Sequence, residues 1–152
     1  SKGLMYNYFK SKEELMQAIM ESAFVIGEEM MAGMQHAITP QDKIRFIIES
    51  SFTWATEHAD YSKTMMQLAL QVGKFPMVQK MVDAKIEGFK TIFVHLFEEL
   101  GFENPEMEAY CLGALFDGIG MQFASVGDKI GYERVKEFLI DKYCNKTLKN
   151  EN

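Results

Sequence analysis

The sequence predicts an all-α protein with one folded body. Apolar residues recur at three- and four-residue steps along almost the whole chain, and no stretch alternates cleanly enough to be a strand. Only three prolines occur in 152 residues, and each stands at a predicted helix start or at a break between helices. With 47% hydrophobic residues and no shift in composition, the chain is long enough for one well-buried core.

The first predicted helix spans residues 12–37. Ser11 and Glu14 form an S-x-x-E capping box, in which the serine side chain accepts from the amide three residues on and the glutamate reaches back to the serine amide. The apolar positions of this helix follow a helical repeat: Leu15, Ile19, Ala23, Ile26, Met30 and Met34.

The second helix, residues 40–58, begins at Thr39-Pro40, an N-cap residue followed by a proline that has no amide to leave unpaired. Its apolar residues cover most of its circumference, so we expect it to be central and buried: Ile44, Phe46, Ile47, Ile48, Phe52, Trp54 and Ala55. A third helix is predicted over residues 61–72.

The fourth helix, residues 76–100, carries a seam whose spacing suits antiparallel packing: Val82, Ile86, Phe89, Phe93, Leu96 and Leu100. Gly101-Phe102 is a C-terminal glycine signal. Residues 132–146 form a sixth helix, with Val135, Phe138, Leu139 and Tyr143 as its apolar positions.

The fifth helix, residues 105–126, begins at Asn104-Pro105 and has two apolar stripes. One stripe is bulky: Leu112, Leu115, Phe116, Ile119 and Phe123. The other is small: Ala109, Gly113, Gly120 and Ala124. Each glycine inside a helix costs roughly 1 kcal/mol against alanine, so the small stripe indicates close approach of another helix. That helix belongs either to the same chain or to a second copy.

Charge is divided unevenly along the chain. Lys2, Lys10 and Lys12 are the only charged residues before Glu13, so residues 1–12 carry +3. Residues 13–152 hold 13 basic and 22 acidic residues, a net charge of −9. A nucleic acid would be attracted to the first segment and repelled by the rest, although a solvated basic N-terminus is the plainer explanation of charge alone.

The first fifteen residues add a motif to that charge. They read S-K-G-L-M-Y-N-Y-F followed by K-S-K-E-E-L, which places an aromatic pair, a phenylalanine and a capped lysine at set offsets. This segment resembles the end of the helix-turn-helix in the TetR family of bacterial transcriptional regulators. The resemblance implies a remnant of the DNA-binding domain at 1–11 and a ligand-binding and dimerisation bundle at 12–148. The polar sequence at 149–152 predicts a disordered tail. We therefore expect the chain to begin inside the recognition helix.

What the resemblance implies for function is a ligand-responsive regulator, most often a repressor, in which an effector tilts the helix at 12–37 and so changes the separation of two DNA-reading heads. The residues expected at operator DNA are Lys2, Gly3, Tyr6, Asn7, Tyr8 and Lys12.

The resemblance also implies a cavity between the second, fourth and fifth helices. We expect an apolar, small-molecule effector lined by Phe52, Met65, Met66, Phe89, Phe93, Tyr110 and Phe116, with Gln67, His95 and Cys111 as further polar groups. A homodimer is implied through the last two helices, with Ala109, Gly113, Gly120, Ala124 and Phe138 at the interface.

Other functions find less support in the sequence. Nucleophile elbows, phosphate-binding glycine loops and H-E-x-x-H motifs are absent, so we expect neither an enzyme nor a bound cofactor. His95 and Glu99 have helical ligand spacing but no third partner nearby, so no metal is expected. Two widely spaced cysteines and no long apolar run favour a cytoplasmic protein without a membrane partner. A constitutive dimerisation or scaffold module and, less so, an all-helical enzyme stay open as alternatives.

Overall fold

The computed structural model describes residues 9–129 and 131–145, and over these residues the chain is all-helical, as predicted. The α-helices are α1 (Lys12–Met34), α2 (Pro40–Glu57), α3 (Ala59–Ala69), α4 (Pro76–Glu99), α5 (Pro105–Val126) and α6 (Tyr132–Ile140). A π-helical turn, Asp141–Asn145, follows α6 directly, where the sequence predicts a continuous α-helix to 146.

Local capping explains where the helices begin. The Thr39 hydroxyl accepts the Asp42 amide at 3.1 Å while the Asp42 carboxylate accepts the Thr39 amide at 3.4 Å, a reciprocal capping box at α2. At α5 the Asn104 side chain accepts the Met107 amide at 3.2 Å. At α1 the Ser11 hydroxyl accepts the Glu14 amide at 3.1 Å, as predicted, but the Glu14 carboxylate accepts the amide of Lys10 rather than that of Ser11.

The end of α4 is a Schellman motif, which confirms the glycine signal. Gly101 has a φ of 74°, and the Phe102 amide donates to the Phe97 carbonyl at 3.0 Å. The two phenylalanine rings meet with centroids 4.9 Å apart, which supplies the apolar contact that accompanies this motif. The chain is thereby turned sharply from α4 into α5.

Helix α2 is central, as its all-round apolar surface predicts, and it contacts every other helix of the described chain. Ile44 and Ile48 are completely buried there, and Phe52 is 3% exposed. The main core joins α2 to one side each of α4, α5 and α6. The predicted seam of α4 is interrupted, because Phe93 and Leu96 are buried whereas Ile86 is 56% exposed.

Helices α5 and α6 both pack on α2, and side-chain contacts join α5 to the two ends of the segment from Tyr132 to Tyr143. At one end the rings of Phe123 and Tyr132 have centroids 4.5 Å apart. At the other, the Tyr143 hydroxyl donates to the Glu108 carboxylate at 3.2 Å. The order of these contacts shows that the segment runs antiparallel to α5.

Candidate functional site

The predicted DNA contacts lie at the N-terminal edge of the described structure. Lys2, Gly3, Tyr6, Asn7 and Tyr8 lie outside the described residues, and so does the side chain of Lys12. The structure describes the junction at Ser11, where the chain enters α1. Ser11 has extended backbone angles, and its hydroxyl caps the N-terminus of the helix. The DNA-binding assignment therefore stays a prediction.

The inner aromatic cluster consists of Phe52, Phe89, Phe93 and Phe116, four of the residues predicted to line a ligand cavity. The structure brings them together from α2, α4 and α5. Phe89 stacks on Phe93 with centroids 4.2 Å apart and meets Phe116 edge-to-face at 5.8 Å, and Phe52 meets Phe116 edge-to-face at 6.4 Å. These separations are those of rings in direct contact, so each ring is part of the packing of the others.

Tyr132 belongs to the same cluster and was missed by the sequence analysis. It begins α6, is 6% exposed, and its ring lies 4.5 Å from that of Phe52. Burial, with the Asp128 carboxylate nearby, raises the pKa of Tyr132. A tyrosine at a helix start carries no periodic signal of its own, and only the folding of α6 onto α2 reveals its position.

The remaining cavity residues divide between two sides of the molecule. Met66 faces the interior, with its Cε 3.3 Å from where a Cβ would stand on Gly120, and Met65 is half-buried. Tyr110 is 70% exposed. Six residues of an α-helix turn through about 600°, which leaves Tyr110 about 120° away from Phe116 around α5. Tyr110 is thus on the outside of α5, contrary to its assignment as a lining residue.

The other polar groups expected to orient a ligand are also at the surface. Gln67, His95 and Cys111 are all exposed, and His95 Nε2 lies 3.5 Å from Glu99 Oε1. The inner aromatic cluster therefore receives none of the polar groups predicted for it.

The small stripe of α5 faces the interior of its own chain, not outward. Ala109 is 1% exposed and Gly120 is buried. A Cβ on Gly113 would stand 3.3 Å from the ring of Phe89, so this glycine admits an aromatic ring from α4. Close approach within the chain explains the glycines, and this is a correction to the predicted interface, since Ala109, Gly113 and Gly120 are already covered and Ala124 is half-buried.

The outward side of α5 is apolar instead. Met107 is 54% exposed and Met121 is 56% exposed, with Tyr110 and Ala114 between them at helical spacing and Leu115, 40% exposed, at the margin. On α6, Phe138 is 64% exposed, as its assignment to an interface requires. We call these six residues the outer face. Single exposed apolar residues are ordinary, but a row of them along one side of a helix marks a surface for contact.

Two ion pairs link α5 to α4. Lys85 and Lys90 of α4 pair with Asp117 and Glu106 of α5. The hydrogen bond with Glu106 raises the pKa of Lys90, and the same bond lowers the pKa of Glu106. Exposed pairs of this kind contribute little stability but specify how the helices are aligned.

The cysteines and histidines offer no convergent reactive site. Cys111 and Cys144 are free thiols, and burial raises the pKa of Cys144 to about 11. Within 9–129 and 131–145, no three His, Cys, Asp or Glu side chains are grouped to hold a metal ion. No helix in the described ranges has the length and apolar character needed to cross a membrane.

Comparison with known proteins adds nothing to these observations: no family model, curated protein or solved structure matches the chain.

Proposed function

We propose that the chain is the dimerising, effector-binding body of a DNA-binding transcriptional regulator of the TetR type, acting as a repressor. The observation that carries the proposal is the junction at Ser11. The basic segment Ser1–Lys10, with its paired tyrosines, leads directly into a helix that the Ser11 hydroxyl caps. A long helix that follows a DNA-reading segment is suited to transmit a change in the body to the DNA.

The outer face supports the dimeric part of the proposal. It lies on the last two helices, where the TetR resemblance implies that two copies meet, and it leaves Met107, Tyr110, Met121 and Phe138 largely exposed. A twofold axis would bring each outer face onto its equivalent, which buries all of these residues twice. The surface differs from the predicted one in using the bulky outward residues of α5 in place of its small stripe.

The inner aromatic cluster supports an apolar effector. Phe89 is half-buried at the edge of the cluster. Ile86, which precedes it in the predicted seam of α4, is exposed. An aromatic compound inserted beside Phe89 would meet the rings of Phe93 and Phe116. Because the lining is apolar, we expect neutral compounds to bind better than anionic ones.

DNA selection tests the proposal directly. The polypeptide that contains this chain is mixed with a library of random duplexes, and bound DNA is amplified and sequenced over several rounds. We expect an inverted repeat whose half-sites are about one helical turn apart, or a multiple of it. Tyr8→Ala should abolish the enrichment, whereas Lys63→Ala, which removes an exposed cation on α3, should leave it intact. Recovery of no repeated half-site would rule out the proposed function.

A constitutive dimerisation module without an effector is the second candidate, and the packing of the aromatic cluster favours it. Phe52, Phe89 and Phe116 already serve as one another's partners, as they would in a core that admits no ligand. A thermal-shift screen against neutral aromatic compounds separates the two candidates. Stabilisation that Met66→Trp abolishes without loss of the dimer supports the sensor, and no stabilisation by any compound supports the module.

A further inference from the structure

Helix α1 is the least anchored helix in the described structure. Of the 22 residues from Glu13 to Met34, only Met16 is buried, while Phe24 and Val25 are each more than half exposed. A helix with so little buried apolar area opens at a lower free energy than the core helices do. Its few specific contacts therefore determine where it lies.

The C-terminal part of α1 is held by the main core. Met30 and Met34 pack against the core from its edge. Gly33 lies directly against the ring of Phe46 of α2, so closely that a Cβ on this glycine would be 2.4 Å from Cζ of the ring. This end of α1 is a close-packed helix crossing at which the backbone of α1 rests on the Phe46 ring of α2.

The N-terminal part of α1 makes no contribution to the main core, since Met16 lies outside that cluster. Helix α1 packs on α2 and α4, and a hydrogen bond from a distant residue also joins its N-terminal part to α3. The Tyr61 hydroxyl of α3 donates to the Ile19 carbonyl at 3.3 Å. The ring of Trp54 meets Tyr61 edge-to-face with centroids 5.3 Å apart and so fixes the direction in which the hydroxyl points.

We propose that the Tyr61 hydroxyl is a latch that holds the N-terminal part of α1 on the body, and that this part opens as a unit about the Gly33–Phe46 crossing. When the latch is released, residues 13–29 lose this bond to α3 while Met30 and Met34 stay packed. The inference concerns the chain itself and does not depend on DNA or effector binding.

Peptide-resolved hydrogen exchange of the full chain, without DNA or effector, tests the latch. In the wild type, amides of residues 15–29 should exchange faster than those of α2 and α5. Tyr61→Phe removes the hydroxyl and keeps the ring against Trp54. Because exchange through local opening follows the opening equilibrium, we expect roughly two- to tenfold faster exchange in residues 15–29 and unchanged exchange in α2 and α5.

The matched control is Thr64→Val, which removes an exposed hydroxyl from the same helix, where it donates to the Asp60 carbonyl at 2.9 Å, and should leave exchange in α1 as in the wild type. The latch is refuted if Tyr61→Phe leaves residues 15–29 unchanged or accelerates every helix equally. It is also refuted if the wild type exchanges α1 as slowly as α2. The hydrogen-exchange measurements require neither DNA nor effector. A failure of the latch proposal can therefore be distinguished from a failure of the proposed function in the DNA-selection experiment.

Discussion

Phe138 is the most exposed aromatic residue of α6, and replacing it with aspartate tests the outer face. Completely burying a phenylalanine side chain stabilises by about 1.5–3 kcal/mol. Phe138 is 64% exposed, so an interface that covers it gains roughly 1–2 kcal/mol per copy, and roughly 2–4 kcal/mol for the two copies of a symmetric dimer. A buried, unpaired carboxylate adds to the loss. The dimer dissociation constant of Phe138→Asp should therefore rise by roughly 30- to 1,000-fold.

Sedimentation velocity over a wide range of protein concentration measures that constant. Ile38→Asp is the matched control. Ile38 is 90% exposed in the connection between α1 and α2, and its replacement by aspartate introduces the same charge away from the outer face. We expect the control to dimerise like the wild type. Circular dichroism of both variants verifies that they are folded, since neither residue is buried.

The reasoning fails if Phe138→Asp dimerises as tightly as Ile38→Asp does. It also fails if the wild type is monomeric at every concentration, because the outer face would then have a different partner. A weaker dimer in Leu115→Asp would extend the surface to the margin of α5.

Three further predictions concern the folded body. Gly120→Leu should lower the free energy of unfolding by roughly 1–3 kcal/mol. The new side chain would meet Met66, whose Cε is 3.3 Å from the Cβ position. An unchanged midpoint in urea unfolding would contradict the inward placement of the small stripe. Asp128→Ala should cost about 1 kcal/mol, since the Asp128 carboxylate accepts the Tyr132 amide at the start of α6, and Asp128→Asn, which keeps an acceptor, should recover most of it. Cys144 should be alkylated more slowly than Cys111 at pH 8, as read by mass spectrometry. Because folding raises the thiol pKa of Cys144 from 9.0 to about 11, the stability that the wild type has relative to Cys144→Ala should fall as pH rises between those values; a difference constant with pH would show that the thiol is not buried on folding.

The starts of α1, α2 and α5 and the end of α4 were predictable from the sequence because short-range hydrogen bonds fix them, whereas α1, α3 and α6 end earlier than predicted. Thr39 bonds to Asp42, Asn104 bonds to Met107, and the turn at Gly101 closes within five residues. Prolines at the first helical positions reinforce the starts. The central position of α2 was predictable for a related reason: a helix that is apolar on all sides has no side that favours water.

Tertiary structure decided which side of each helix is used. On α5 the apolar positions cover so wide an arc that periodicity alone does not distinguish an inward Gly113 from an outward one. The distinction is made by Phe89 and Met66, which are distant in sequence and occupy the space beside the glycines. The same packing leaves Tyr110 on the outside and exposes Ile86 within an otherwise buried seam.

Three of the aromatic residues of the inner aromatic cluster could be predicted from the sequence, but the position of Tyr132 among them could not. Phe52, Phe89 and Phe116 are recognisable from the sequence as inward aromatic residues, and the structure brings them into contact. Tyr132 joins them only because α6 folds back antiparallel to α5. Hydrogen bonds between near neighbours are determined by the local sequence, whereas the side a helix buries depends on partners that only the folded chain brings within reach.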